Sequence, residues 1–315
     1  MRIGTSGIPA PSFWDWLEIS HSFGFRWFEL PADPGYFHCP GGDFFMVNGG
    51  RSVYEPRTLE GGYYFPKEYS DERGHPKKQL LEKCETYGMK PNAIYGRNDF
   101  IRLDKSQIRA EIEKVKELCD VTVGMNCNVL RLHGGTATAD IINEVGKKKC
   151  EEMIIDGFKK CIKYAEDSGV NLAIENHLFL TNDGDLLLRI FEAVGSDYLG
   201  VNMDTANFLW YGWPPETIER FFKQLAPFCK HTHLKDGIRR SGCYPRHVEE
   251  TGKELIDFTP LGDGEVPLKF LIDQLKKNGY KGSYNIQYEC VRWEKHLHGA
   301  YEGVRKSYDY LISVL

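Results

Sequence analysis

The sequence predicts an α/β protein, a single (β/α)8 TIM barrel over residues 1–315 with long loop insertions after strands two and seven. Three observations point there. β-rich runs alternate with amphipathic segments along the whole chain, as βα units around a parallel sheet do. The length of 315 residues suits one barrel of ~250 residues enlarged by insertions better than two average domains. No G-x-G-x-x-G follows the first run, which disfavours an open doubly wound sheet.

The eight runs are, in order, RIGTSG (2–7), FRWFELP (25–31), MKPNAIYG (89–96), NVLRLHG (128–134), VNLAIEN (170–176), LGVNMDT (199–205), KHTHLKD (230–236) and SYNIQYE (283–289). Between them the clearest helix is KSQIRAEIEKVKELCD (105–120), where Ile108, Ile112, Val115 and Cys119 recur at helical spacing. Similar patterns occupy roughly 146–168, 183–194, 215–226, 267–278 and 299–314. Two connections are too long to be turns: 32–75, rich in Gly, Tyr, Phe and Pro, and 237–266. Both leave C-terminal strand ends and are expected over the barrel mouth, where long loops usually carry function. The first reads equally as a substrate cap or as a subunit contact.

Composition narrows the class. A hydrophobic fraction of 41% and a charged fraction of 27% are those of an ordinary soluble protein. A formal net charge of -5 gives no general attraction to nucleic acid or anionic lipid. The nine cysteines form no C-x-x-C pair and are odd in number, against a disulfide scaffold or a zinc finger. The first 16 residues hold no apolar signal region and no run of about 18 apolar residues occurs, so a cytoplasmic setting and no membrane partner are expected.

The second half carries the chemistry. Glu175, Asp204, His233 and Glu289 each stand at or near the C-terminal end of a separate run, and in a parallel barrel those ends meet at one mouth. Side chains alternate in a strand, so Glu175 shares a face with Ala173 and His177, Asp204 with Asn202, His233 with His231, and Glu289 with Gln287 and Asn285. A polar face on a buried strand is costly unless a metal, ligand or hydrogen-bond network satisfies it. Taken alone, a strand-end carboxylate more often caps the next helix or pairs with Lys or Arg. Three carboxylates and an imidazole on four successive strands reverse that preference. Three carboxylates and an imidazole form a hard ligand set suited to one divalent cation, Mn²⁺ first and Mg²⁺ or Co²⁺ next.

IENH (174–177), NMDTANF (202–208), HTHLKD (231–236), LGDGEV (261–266) and the Glu289 of IQYE resemble the xylose-isomerase-like sugar isomerase/epimerase superfamily. That group includes ketose 3-epimerases, inosose dehydratases and endonuclease IV. The resemblance covers most of the chain and is strongest from about 170 to 290. It implies Glu175, Asp204, His233 and Glu289 as metal ligands, with His233 preferred over His231 because it directly precedes LKD; His231 is then a neighbour of the ligands or a substrate group. It also implies that Glu175 and Glu289 act as proton-transfer groups on opposite faces of the substrate, and that Arg239, six residues after the metal histidine, binds substrate hydroxyls. Asn207, expected to contact substrate, stands where ketose 3-epimerases carry a histidine, and Thr181 where they carry an acidic residue, so their substrate contacts do not transfer.

His177 and His133 add imidazoles at the mouth, His177 read as a catalytic group and His133 as a substrate contact or a loop anchor. Lys235 is expected to neutralise an enediolate or substrate carboxylate, or to pair with Asp204 or Glu289. Trp210, Trp213 and Trp293 stack on a sugar ring or fill the rim. A cation holding a carbonyl and an adjacent hydroxyl would acidify the neighbouring C–H and stabilise the enediolate, with one glutamate removing a proton and the other returning one. The expected function is thus a metal-dependent isomerase or epimerase of a sugar or keto-sugar, a small carbohydrate, in a homo-oligomer. No P-loop-type cradle suggests a phosphorylated substrate. The alternative is a lyase on the same scaffold, an inosose-type dehydratase or a C-glycoside-cleaving catalytic subunit with a small partner subunit. An endonuclease is disfavoured by the acidic charge and by too few histidines, and a non-catalytic binding subunit by the complete ligand set.

Overall fold

Parallel strands with apolar outward faces wrap around an interior that becomes polar toward one end. The computed structural model describes residues 2–8, 13–31, 75–135, 139–177, 179–240, 256–289 and 297–315. Its strands are β1 (Ile3–Gly7), β2 (Trp27–Pro31), β3 (Lys90–Tyr95), β4 (Val129–Leu132), β5 (Asn171–Glu175), β6 (Leu199–Asp204), β7 (Cys229–His233), β8 (Asp236–Arg239), β9 (Ile256–Thr259) and β10 (Tyr284–Gln287). The helices are α1 (Phe13–Phe23), α2 (His75–Tyr87), α3 (Lys105–Gly124), α4 (Ala139–Val145), α5 (Lys147–Ser168), α6 (Gly184–Val194), α7 (Thr205–Tyr211), α8 (Pro215–Leu225), α9 (Leu268–Lys277) and α10 (Leu297–Val314).

Eight strands form one sheet in the order β10-β1-β2-β3-β4-β5-β6-β7, all pairs parallel. The two ends of this order meet in a single bridge, Leu234 to Ile286, where Leu234 N–H donates to Asn285 O at 2.7 Å and Gln287 N–H donates to Leu234 O at 3.1 Å. The result is a nearly closed (β/α)8 barrel, and all eight runs read from the sequence lie in it.

Strand alternation explains the two faces. Leu130, Leu132, Leu172, Ile174, Val201 and Met203 are buried and belong to the main core with the helices. Ala93, Val129 and Ala173 form a separate small apolar cluster, and they share the inward parity of Tyr95, Arg131 and Glu175. The helices follow ordinary rules. Asp104 caps α3 by accepting from Ser106 N at 2.7 Å, and Asp183 caps α6 from Asp185 N at 2.9 Å. In α5, Cys150, Ile154, Phe158, Cys161 and Ala165 form the buried stripe. Gly157 lies under the Phe100 ring, where an added Cβ would stand 2.2 Å from a ring carbon.

The segment after the seventh strand differs from the sequence reading. The run 230–236 does not continue as one strand: β7 ends at His233, and Asp236 begins an antiparallel hairpin, β8 with β9. Four-residue strands far apart in sequence carry too little periodicity to be seen without their partner. Residues 241–255 of that insertion and 32–74 of the first lie outside the described residues, as does Trp293. Among the described residues no helix is long and apolar enough to cross a membrane.

Candidate active site at the barrel mouth

The strand ends that carry the candidate residues are held by the residues that follow them. Asn176, next to Glu175, donates from Nδ2 to Asp204 O and accepts from Asp204 N, both at 2.8 Å, tying β5 to β6. Asn207 Nδ2 donates to Asn176 O at 2.9 Å. Thr205 Oγ1 donates to Lys235 O at 2.5 Å and accepts from Lys235 N at 2.8 Å, tying β6 to the segment after β7. Asp236 accepts from the N–H groups of Gly237, Gly262, Gly264 and Val266 at 2.8–3.1 Å, so one carboxylate pins the LGDGEV loop to the root of the hairpin. Gly264 has to be glycine, because a Cβ there would lie 2.1 Å from Asp236 Oδ1.

On this frame Glu175, Asp204 and His233 converge: each offers one ligand atom, all within 4.8 Å of one another, and all three residues are buried. His233 Nδ1 lies 2.9 Å from Glu175 Oε1 and 3.8 Å from Asp204 Oδ2. Asp204 does two things at once. Its Oδ1 caps α7 by accepting from Asn207 N at 3.1 Å, and its Oδ2 faces the site and the Lys235 ammonium. Among the described residues Glu289 belongs to no such triplet and joins the site through Lys235, whose Nζ stands 2.9 Å from both Asp204 Oδ2 and Glu289 Oε1. Both pairings foreseen for Lys235 therefore occur together.

The other expected residues divide. His133 and His177 stack at 4.9 Å between ring centroids, 15° from parallel. Neither ring nitrogen of His133 is hydrogen-bonded, nor is His177 Nδ1, although all three atoms are buried. His133 Nε2 lies 3.4 Å from Glu175 Oε2. His231 is buried beside His233 with its Nε2 3.1 Å from Glu29 Oε2, so it neighbours the candidate ligands. Asn207 spends its amide N–H on the Asn176 backbone. Arg239 lies at the rim, where its Nη2 donates to Trp213 O at 2.6 Å and its Nε approaches Glu265 Oε2 at 3.6 Å. Trp213 Nε1 in turn donates to Asn182 O at 2.7 Å and its ring meets Phe221 edge-on, a rim-filling arrangement.

Two charged residues of the site were not singled out from the sequence. Arg131 of β4 is buried, makes an ion pair through Nη2 with Glu175 Oε2, and places its guanidinium 3.8 Å over the Tyr95 ring. Glu29 of β2 is 4% exposed and its Oε2 lies 2.8 Å from His233 Nε2. Both sit in mid-run on the inward parity, Arg131 two positions before His133. A charge flanked by apolar neighbours inside a buried strand was the available signal.

The electrostatics follow from burial set against these partners. Burial disfavours ionised Glu175, but Arg131, His177 and His233 outweigh it and hold the carboxyl well below its ordinary range. Burial also raises Asp204, and Lys235 only partly offsets the rise, to which Glu175 adds. Burial lowers His177 to about 4 against the pull of Glu175, and lowers His133 well below the ordinary imidazole value, with Arg131 adding to the effect. His233 is the exception: burial acts against its charge, yet Glu29 and Glu175 lift it to about 9. The site thus pairs one imidazolium with carboxylates on both of its nitrogens and sets two neutral imidazoles beside them.

A family model described as a xylose isomerase-like TIM barrel matches residues 17–313. The chain belongs to that family. Solved structures similar to this xylose isomerase-like barrel include D-psicose 3-epimerase from Clostridium cellulolyticum H10 with D-tagatose, at 13% identity and TM-score 0.70, covering 100% of this chain and 99% of that one. The IOLI protein with a bound zinc atom matches at 16% identity and TM-score 0.68, covering 100% and 98%. The probable 3-DHS dehydratase AsbF of Bacillus anthracis matches at 14% identity and TM-score 0.64, covering 99% of each chain. At these identities the likeness carries the fold. Comparison with curated protein sequences gives no match.

Proposed function

We propose that this chain is an enzyme, a divalent-cation-dependent isomerase or epimerase of a sugar or keto-sugar that works by proton transfer next to a carbonyl. The observation that carries the reading is the buried convergence of Glu175, Asp204 and His233 at the C-terminal mouth. These residues fit a cation: the donor set is hard oxygen with one imidazole, and buried Asp204 Oδ2 is met by the Lys235 ammonium, a positive charge that a divalent cation would replace. Glu175 Oε1, Asp204 Oδ2, His233 and Glu289 would hold it, with Mn²⁺ the first choice and Mg²⁺ or Co²⁺ the next. Bound there, the cation would supply positive charge against the negative charge that builds on substrate oxygens during deprotonation.

The protein's own groups divide the remaining work. Glu175 keeps Oε2 on Arg131, so its position is fixed. Glu289, with its side chain 17% exposed and anchored by Lys235 and by Gln287 Nε2 at 3.1 Å, is the freer of the two to take a proton from substrate. The neutral imidazoles of His133 and His177 offer buried nitrogens to substrate hydroxyls, and Arg239 offers its guanidinium from the rim. Water-excluding aromatic walls come from Tyr95 and Phe258, the latter 5.8 Å from Lys235 Nζ.

One observation favours a second reading, a lyase. The Lys235 ammonium beside Glu289 could protonate a departing hydroxyl, which turns the same deprotonation into loss of water. A single experiment tests both. The Mn²⁺-loaded protein is incubated with ketoses and inososes in D₂O. Deuterium in recovered substrate or an epimer supports the first reading; an unsaturated or dehydrated product supports the second. Neither product, or full turnover by Glu289→Gln, overturns the proton-transfer account.

A further inference from the structure

We infer that Glu29 is a positioning residue that holds the Nε2–H of His233 and thereby commits Nδ1 to the cation, an inference that rests on the cation site proposed above. His233 lies between two carboxylates, with Nε2 at 2.8 Å from Glu29 Oε2 and Nδ1 at 2.9 Å from Glu175 Oε1. Only one of its nitrogens can ligate a cation, and the other must keep a proton on an acceptor. The surroundings decide which. On the Nδ1 side stand Glu175 and, at 3.8 Å, Asp204, with Glu289 linked to Asp204 through Lys235. On the Nε2 side the one carboxylate among the described residues is Glu29, whose Oε2 already faces a second imidazole, His231, at 3.1 Å.

Glu29, His231 and His233 also lie close enough together to be read as a cation triplet. Occupying it would bring one carboxylate against two imidazoles, a poorer set for a hard cation than the two carboxylates beside Nδ1. It would also displace both imidazoles from Glu29. A carboxylate behind a ligating histidine fixes its tautomer and ring angle and strengthens it as a ligand. Glu29 comes from β2, on the far side of the barrel from β6 and β7 in strand order, so the ring is fixed from across the interior.

The test combines a titration with a tautomer measurement. Cation affinity is measured by competition with a chelator for wild type, Asp204→Asn and Glu29→Gln. Glu29→Gln keeps the side-chain volume and should bind one cation per chain about 10–100-fold more weakly. In the zinc-loaded wild type carrying ¹⁵N-labelled histidine, long-range H–N spectra should show His233 protonated on Nε2 and ligated through Nδ1. This second measurement stands even if Glu29→Gln folds poorly. Unchanged affinity in Glu29→Gln, or zinc on Nε2, overturns the role of Glu29 while the cation site survives. Wild-type affinity in Asp204→Asn, or no binding by wild type, overturns the cation site and the inference with it.

Discussion

Replacing Lys235 with methionine separates a structural ammonium from one that stands in for a cation. Its Nζ lies 2.9 Å from Asp204 Oδ2 and 2.9 Å from Glu289 Oε1, and its side chain is buried. Charges at that separation attract by about 6 kcal/mol per pair at an effective dielectric of ~20. Desolvation takes back several kcal/mol per ion, and removing one partner of a buried pair costs about 3–5 kcal/mol because a charge is left unpaired. Lys235→Met should therefore lose about 3–5 kcal/mol when cations are chelated. If the two carboxylates then serve a divalent cation, saturating Mn²⁺ supplies the missing charge and recovers most of that loss. Mn²⁺ should also bind more tightly to the variant, which has no ammonium to displace. Urea unfolding with EDTA and with excess Mn²⁺ measures both terms. An equal loss under the two conditions, or no loss with EDTA, would refute the reasoning.

The pH dependence of the chelated protein follows from His233, whose folded value is raised to about 9 by Glu29 and Glu175 against the opposing effect of burial. Stability from that group is full below the unfolded value of ~6.5 and is lost as pH rises through about 9, by up to about 3 kcal/mol; unfolding curves at pH 6.5 and 9.5 should show the decline, and cation-saturated protein should not. Because a ligating imidazole gives up a proton, and Asp204, lifted by burial to about 7, gives up a further fraction, cation binding at pH 7 should release between one and two protons, read by calorimetry in buffers of different ionisation enthalpy. Asp236→Ala strands four backbone donors at the root of the hairpin and should cost about 3 kcal/mol in urea unfolding, with the LGDGEV loop exchanging amide hydrogens faster. Gly157→Ala forces a methyl against the Phe100 ring and should cost about 1–3 kcal/mol with unchanged cation affinity, which makes it a control for stability loss away from the mouth.

The barrel was legible because its signals are local. Each strand run and each helix carries its own period, and eight repeats of the alternation leave little choice of architecture. Glu175, Asp204 and His233 were legible for a related reason: the parallel topology alone brings strand ends to one mouth. Glu29 and Arg131 were harder because their roles depend on which strands face each other across the interior. Helix α7 follows β6 without a loop, so Asp204 ends a strand and caps a helix in one position, and the helix went unread.

That double duty bears on what the site can do. The common reading of a strand-end carboxylate, a helix cap or an ion pair, and the functional one are usually weighed as exclusive alternatives. Under the proposed reading they are divided between the two oxygens of one group. Asp204 gives Oδ1 to the backbone N–H of Asn207 and turns Oδ2 to the mouth, where the Lys235 ammonium meets it. Glu175 gives Oε2 to Arg131 and turns Oε1 to His233. His233 divides its two nitrogens in the same way, between Glu29 and Glu175. Each side chain is fixed by one atom and offers the other, which is how a site is held in its working geometry before anything binds. The structural contacts are therefore part of the argument for function, because without them the three inward atoms would have no reason to stay within reach of one another.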